Sequence, residues 1–266
     1  MMKFISFLVF ACLLIGAIQA QGQPASMDVD HLRADQTSIK VGHIIFPPFY
    51  FSNGSQTTGM DADVFSAVAA KAGFKNVNFI LFDNLPQLVA GLVEGKIDVI
   101  ANGIVETPRR KNQFLLTNPY YLKGGLGILY VSGKRTFKSA EDLKGRQIGT
   151  LRASYPQTDW LPSLNIPPSS IKAYNTVNEM VNALKNGEID IVVTNYTVCR
   201  YEQEAAHNQL QAALIETMPI VYMLRLQNRV LQQKLNGAID ALWRDGTLYS
   251  IKLKYLHPLE IEPAHF

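Results

Sequence analysis

Thr107-Pro108-Arg109-Arg110 is the segment of this chain best suited to chemistry on a charged solute. Thr followed by Pro makes a favourable N-cap and first helical position. The segment follows a β-branched run at residues 97–101, and ligands of α/β folds bind at the carboxyl edge of such strands. Two arginines in a first helical turn oppose the helix dipole, a cost that a nearby anion offsets. A planar guanidinium grips a carboxylate through two parallel hydrogen bonds. From these residues alone, a solvated surface arginine and a ligand clamp stand equally open. A second anion-compatible segment is Ala153-Ser154-Tyr155-Pro156, after a strand expected at residues 147–150. A loop entering a helix there offers backbone N–H groups and a hydroxyl. Placed across a cleft from Arg110, it would let both sides of the cleft hold one carboxylate.

Signatures of catalysis are missing. The chain contains no Gly-x-Ser-x-Gly, no phosphate-binding glycine loop, no His-Glu-x-x-His and no Asp/His cluster with metal spacing. Its five histidines are dispersed. No catalytic residue, metal or cofactor is therefore expected. Asp61 and Asp63, near a helix start, read as capping and dipole-complementing residues. Cys199 reads as a small buried hydrophobe.

The elements that must position these residues alternate between short strands and amphipathic helices. Strands are expected at residues 39–45, 77–82 and 97–101, with helices at 61–72 and 85–94. Such alternation argues for sheets covered by helices. Residues 92–100 and 184–192 echo one another, each running from a helix end through Gly95 or Gly187 into a strand. Both glycines sit where a helix ends at positive φ. The echo suggests two lobes on one plan. Gly124-Gly125 leads into a strand ending at Val131, and residues 219–224 form a second extended run before a helix at 228–243. These two crossings would carry the chain out of the first lobe and back.

Lys3, an apolar run at residues 4–18 and Ala20 read as a signal peptide, removed on export. Cys12 lies inside that run, away from the position of a lipid-attachment cysteine. Without the leader Cys199 is the one remaining cysteine, unable to form an internal disulfide or a structural zinc site. Roughly 240 mature residues suit two lobes sharing a cleft. Hydrophobic residues make up 47% of the chain and the net charge is +3. The scattered basic residues argue against a nucleic-acid partner.

Seven pieces then resemble, in order, the bacterial extracellular solute-binding proteins of family 3, the periplasmic polar amino-acid receptors of ABC importers. They are Phe46-Pro47-Pro48-Phe49, Gly59-Met60-Asp61-Ala62-Asp63-Val64, Gly95-Lys96-Ile97-Asp98-Val99-Ile100 and Thr107-Pro108-Arg109-Arg110. Asn118-Pro119-Tyr120-Tyr121, Asp142-Leu143-Lys144-Gly145 and Asp245-Gly246-Thr247 complete the series. The resemblance implies an α/β, two-lobed periplasmic-binding-protein type II fold, each lobe a mixed sheet flanked by helices, joined by two hinge crossings. It divides the chain into signal peptide 1–20, leader 21–36, a discontinuous first lobe 37–122 plus 220–258, a second lobe 123–219 and a tail 259–266. It implies a monomer that delivers an amino acid or related carboxylate to an import permease.

The resemblance also assigns residues. Arg110 is the carboxylate clamp, Phe46 and Leu85 pack on the ligand's aliphatic part, and Gly103 offers backbone groups. Ser154 and Tyr155 add carboxylate contacts from the second lobe. Three positions depart from the family pattern. Val105 stands where a Ser or Thr is usual, Asn195 where an Asp would meet the ligand's ammonium, and His43 where receptors for basic amino acids tend to carry Asp. His43 and Arg152 argue against a cationic ligand side chain. A receptor feeding a sensor, and an exported dehydratase with Glu106 as its acid, are the alternatives.

Overall fold

A computed structural model describes residues 37–53, 56–133, 137 and 139–262. The expected signal peptide, the leader and the last four residues of the expected tail lie outside the described residues.

In chain order the strands are β1 (Ser38–His43), β2 (Phe51–Asn53), β3 (Gln56–Thr58), β4 (Asn76–Leu81), β5 (Val99–Val105) and β6 (Leu115–Leu116). They continue as β7 (Gly125–Val131), β8 (Ile148–Leu151), β9 (Ile171–Tyr174), β10 (Ile191–Asn195), β11 (Leu210–Thr217) and β12 (Ile220–Leu224). The helices are α1 (Met60–Lys71), α2 (Leu85–Val93), α3 (Pro108–Gln113), α4 (Leu161–Ser163), α5 (Val177–Lys185), α6 (Tyr196–Ala205), α7 (Arg229–Arg244) and α8 (Thr247–Lys252). Ten of these strands build two mixed five-stranded sheets, β4-β1-β5-β12-β6 and β11-β7-β10-β8-β9, and β2 pairs antiparallel with β3. Strands β1, β4 and β5 run parallel, and β12 pairs antiparallel with β5. In the second sheet β8, β9 and β10 are parallel, and β7 runs against both β10 and β11.

The central strand of the first sheet is longer than its apolar run. β5 continues past Ala101 through Asn102 and Gly103 to Val105, because β12 pairs with it as far as Ile220 opposite Val105. Every residue of β5 is buried. Buried Asn102 satisfies its carbonyl oxygen with the backbone N–H of Ile44 at 2.9 Å, so the polar residue does not break the strand.

The sequence echo is a structural one. Helix α2 runs through Gly95 (φ 75°) into β5, and α5 runs through Gly187 (φ 76°) into β10. Each following aspartate then ties its lobe in the same way. Asp98 accepts a hydrogen bond from Lys40 N at 2.8 Å, and Asp190 accepts one from Gln147 N at 2.9 Å. The two sheets are therefore variations on one helix–glycine–strand joint.

The chain leaves the first sheet after β6 and returns between β11 and β12. These crossings lie side by side: Met218 N donates to Gly124 O at 3.1 Å, and Ile220 N to Tyr121 O at 2.8 Å. The approach is close because two glycines permit it. A Cβ on Gly124 would stand 2.4 Å from the Ile220 side chain, and one on Gly125 would stand 2.0 Å from Glu216 O. Gly125 also holds φ at +151°. The C-terminal segment braces this region: buried Lys252 Nζ donates to Tyr120 O (3.1 Å) and to Glu262 Oε1 (2.9 Å), while Glu262 Oε1 also accepts from Leu122 N (2.7 Å).

Gly125→Ala is expected to cost roughly 3 kcal/mol or more, since backbone strain and a clash with fixed backbone act together. Gly133→Ala, at positive φ in open space, is expected to cost about 1 kcal/mol. Urea unfolding of both variants checks this; equal losses would mean that the crossing is not tightly packed.

Candidate functional site

Between the carboxyl end of β5 and the edges of β7, β8 and β10 lies a cavity of about 50 Å³. Leu85, Ile104, Arg110 and Tyr155 also line a neighbouring, outer cavity of about 220 Å³. Arg110 is brought there by its helix start. Thr107 caps α3, its hydroxyl accepting from Arg110 N at 3.2 Å, with Pro108 in the first turn. The guanidinium then folds back, and Nη1 donates to Val105 O at 2.7 Å. Val105 lacks a hydroxyl, but its carbonyl aims the arginine. Burial lowers the Arg110 pKa to about 10, with Asp159 opposing and Arg109 reinforcing that shift. The side chain stays cationic at neutral pH while much of its water is stripped away, so the donors not used by Val105 are available to an anion.

Gly103 occupies the centre of the site. Its φ of +59° and the Phe49 ring, 2.8 Å from where a Cβ would sit, admit only glycine there. Its N–H donates to Asp61 Oδ2 at 2.7 Å, and Tyr120 OH donates to Asp61 Oδ1 at 2.5 Å. Its carbonyl accepts from Asn195 Nδ2 at 3.1 Å, across from the second sheet. Asn195 Oδ1 in turn accepts from Thr197 N at 2.9 Å, capping α6. The amide of Asn195 is thus engaged at both ends. Asp61 is not a cap, which corrects the sequence expectation: Gly59 precedes α1 and provides no side-chain cap, while the Asp61 side chain points inward under β5.

Phe46 and Leu85 line the cavity, both buried, as do Gly103, Val105, Ser154, Tyr155 and Asn195. Phe46 stacks on Phe49 with ring centroids 5.6 Å apart. Leu85 opens α2 after Asn84, whose side chain accepts from Gln87 N at 3.0 Å. On the second-sheet side the free N–H groups expected at residues 153–155 are partly engaged. Ala153 N donates to Gln157 Oε1 and Ser154 N to Leu151 O. Ser154 Oγ donates to Leu151 O at 2.6 Å and lies 3.1 Å from Thr150 Oγ1. The helical turn that follows, Pro156–Trp160, is a π-helix leading into α4.

His43 and Arg152 do not join the cavity. His43 is buried and stacked on Tyr50 with centroids 4.2 Å apart. Arg152 is exposed and turns to Asn175 Oδ1 and Ala173 O beside β9. Glu106 is paired with Lys111 and lines neither cavity. Sequence reasoning passed over Ile44, Asn102, Leu126, Leu151 and Thr194, which also line the cavity. A polar residue inside an otherwise apolar strand was the signal for Asn102. Cys199 is buried and its thiol pKa is raised by burial.

Burial raises the Asp61 pKa from 3.8 to about 7, with the bonds from Tyr120 and Gly103 pulling against it. Burial lowers that of His43 from 6.5 to about 4. Between about pH 4 and 7 the fold retains a proton on Asp61 that the unfolded chain has lost, so this contribution to stability falls as pH rises. Between about pH 4 and 6.5 the unfolded chain takes up a proton that folded His43 refuses, so this contribution rises with pH. The two slopes oppose one another. Asp61→Asn is expected to leave stability rising with pH across that window, and His43→Phe to leave it falling, each by on the order of 2–4 kcal/mol. Urea midpoints measured across the window check both signs, and profiles parallel to the unmodified protein would contradict them.

The pattern of the bacterial extracellular solute-binding proteins, family 3, matches residues 39–258. The chain is 26% identical to the probable amino-acid-binding protein YxeM of Bacillus subtilis, over all of this chain and 99% of that one. It is 29% identical to the ABC transporter arginine-binding protein 1 of Escherichia coli, over 77% of this chain and 85% of that one. Among solved structures, an ancestral arginine-binding protein bound to arginine superposes with a TM-score of 0.74 at 29% identity, covering 84% of this chain and 99% of that one. Two mixed sheets, two crossings and a cavity between them are the type II periplasmic-binding-protein fold. The chain belongs to the bacterial extracellular solute-binding proteins, family 3.

Proposed function

We propose that the protein is an exported receptor that captures a small carboxylic acid, an amino acid or a related compound, between its two lobes and hands it to an ABC import permease. In this reading residues 37–122 and 220–258 form the first lobe, 123–219 the second, and the receptor acts as a monomer. The observation that carries it is the desolvated Arg110 guanidinium, aimed by Val105 O into a cavity that both sheets line. The carboxylate lies on that guanidinium. Phe46 and Leu85 cover the aliphatic part, Gly103 meets it with backbone groups, and Tyr155 and Ser154 close from the second lobe. Ser154 turns its hydroxyl from Leu151 O towards the ligand to do so. The similar proteins named as amino-acid-binding and ABC-transporter proteins support the ligand class and the permease.

A ligand held by both lobes favours the closed form by its differential affinity for that form, and the permease reads that form. Against the enzyme alternative stands its candidate acid, since Glu106 pairs with Lys111 and lines neither cavity. A sensor as the downstream partner would use the same site and the same closure.

Arg110→Ala is expected to weaken binding of the carboxylate ligand by roughly 2–5 kcal/mol, since it leaves a desolvated acid group unpaired. Arg110→Lys should recover part of that loss, keeping the charge without the planar fork. Titration calorimetry checks both; unchanged affinity in the alanine variant would remove Arg110 from the site.

A further inference from the structure

The two adjoining cavities carry an unbalanced set of charges. Among the described residues, Arg110 is the one charged side chain lining the inner cavity, and the outer one adds Arg109 and Asp159. Asp159 Oδ2 takes Arg109 Nη1 at 3.2 Å and Thr158 Oγ1 at 2.5 Å. Two guanidiniums against one carboxylate leave one positive charge, which the ligand's own carboxylate neutralises. Among the described lining residues no further carboxylate remains for a second, cationic group on the ligand; Glu216, whose charge reaches Tyr155, is exposed on β11 and lines neither cavity. The nearest buried carboxylate, Asp61, lies behind β5 with one oxygen taken by Gly103 N and the other by Tyr120 OH. Asn195, beside Gly103 O, carries no charge and spends both ends of its amide inside the protein.

A zwitterion entering this space would strip water from its ammonium and find only dipoles in exchange, which compensate a buried charge poorly. A hydroxyl or keto oxygen has no such requirement. A hydroxyl donates to a backbone carbonyl such as Gly103 O, and either group accepts from Asn or Thr side chains at ordinary hydrogen-bond cost. The outer cavity meanwhile presents Leu85, Pro86, Val89, Phe114 and Met223 to whatever extends from the carboxylate, a lining suited to an apolar tail.

Resting on the carboxylate-receptor reading above, we infer that the preferred ligand is an organic acid bearing a single net negative charge, with an uncharged substituent beside the carboxylate and an apolar tail: a 2-hydroxy or 2-oxo acid rather than a zwitterionic or basic amino acid.

Titration calorimetry on the full chain with matched pairs tests this: alanine against lactate, leucine against 2-hydroxy-4-methylpentanoate, phenylalanine against 3-phenyllactate. The hydroxy acid of the best-binding pair is expected to bind at least about tenfold more tightly than its amino acid. Equal or tighter binding of the amino acid overturns the inference and leaves the carboxylate reading standing. Asn195→Asp, which keeps a good helix cap and adds the missing charge, is expected to move the ratio towards the amino acid; an unmoved ratio contradicts the charge argument. Silence from all six acids, or binding that survives Arg110→Ala, contradicts the carboxylate reading itself and the inference with it.

Discussion

The hydrogen bond from the Gly103 N–H to the buried carboxylate of Asp61 is the constraint on which the site depends. Gly103 sits within a fully buried strand of the first sheet, at a positive φ that only glycine tolerates against the Phe49 ring. Asp61 anchors that distorted residue from below, and Tyr120 OH steadies Asp61 from the first crossing. Tyr120 belongs to the same segment that Lys252 and Glu262 brace. The carbonyl of Gly103 meets Asn195 from the second sheet. One peptide thus receives support from the first lobe's core, from a crossing and from the opposite lobe. Two residues on, Val105 turns its carbonyl to the guanidinium of Arg110.

Burying Asp61 without a cation is costly in isolation. The fold accepts that cost because the acceptor holds β5 in a conformation that strand pairing alone does not enforce. His43, also buried, is kept neutral at neutral pH by that burial. Its ring is part of an aromatic cluster with Tyr50 and Phe79. In the cleft itself, Arg110 and Arg109 face the single lining carboxylate of Asp159.

Much of this was legible in the sequence. The alternation of short strands and helices gave the layers, and the Gly95 and Gly187 echo marked the same joint in both sheets. Thr107-Pro108 announced the cap that delivers Arg110. Where structure and sequence expectation differ, spacing fixes the face on which each residue lies. Asp61, Val64, Phe65 and Val68 fall at helical spacing and all are buried, so Asp61 lay on the apolar stripe of α1 and was never a surface cap. His43 shares a strand face with core residues Ile39 and Val41 and faces the core with them. Arg152 comes one residue after cavity-lining Leu151 and turns to the other side. The engagement of Asn195 with Gly103 O joins residues 92 apart, a register between two sheets that no local pattern encodes.

In the proposed receptor, Arg110 receives an acid group inside the cavity between the two sheets. A crystal structure of the protein with its best-binding carboxylate would reveal whether it does. The account predicts both carboxylate oxygens at about 2.7–2.9 Å from the Arg110 guanidinium nitrogens, with Tyr155 and Ser154 closing from the other lobe. A ligand found with its acid group in solvent, or bound outside the space between the two sheets, would contradict it.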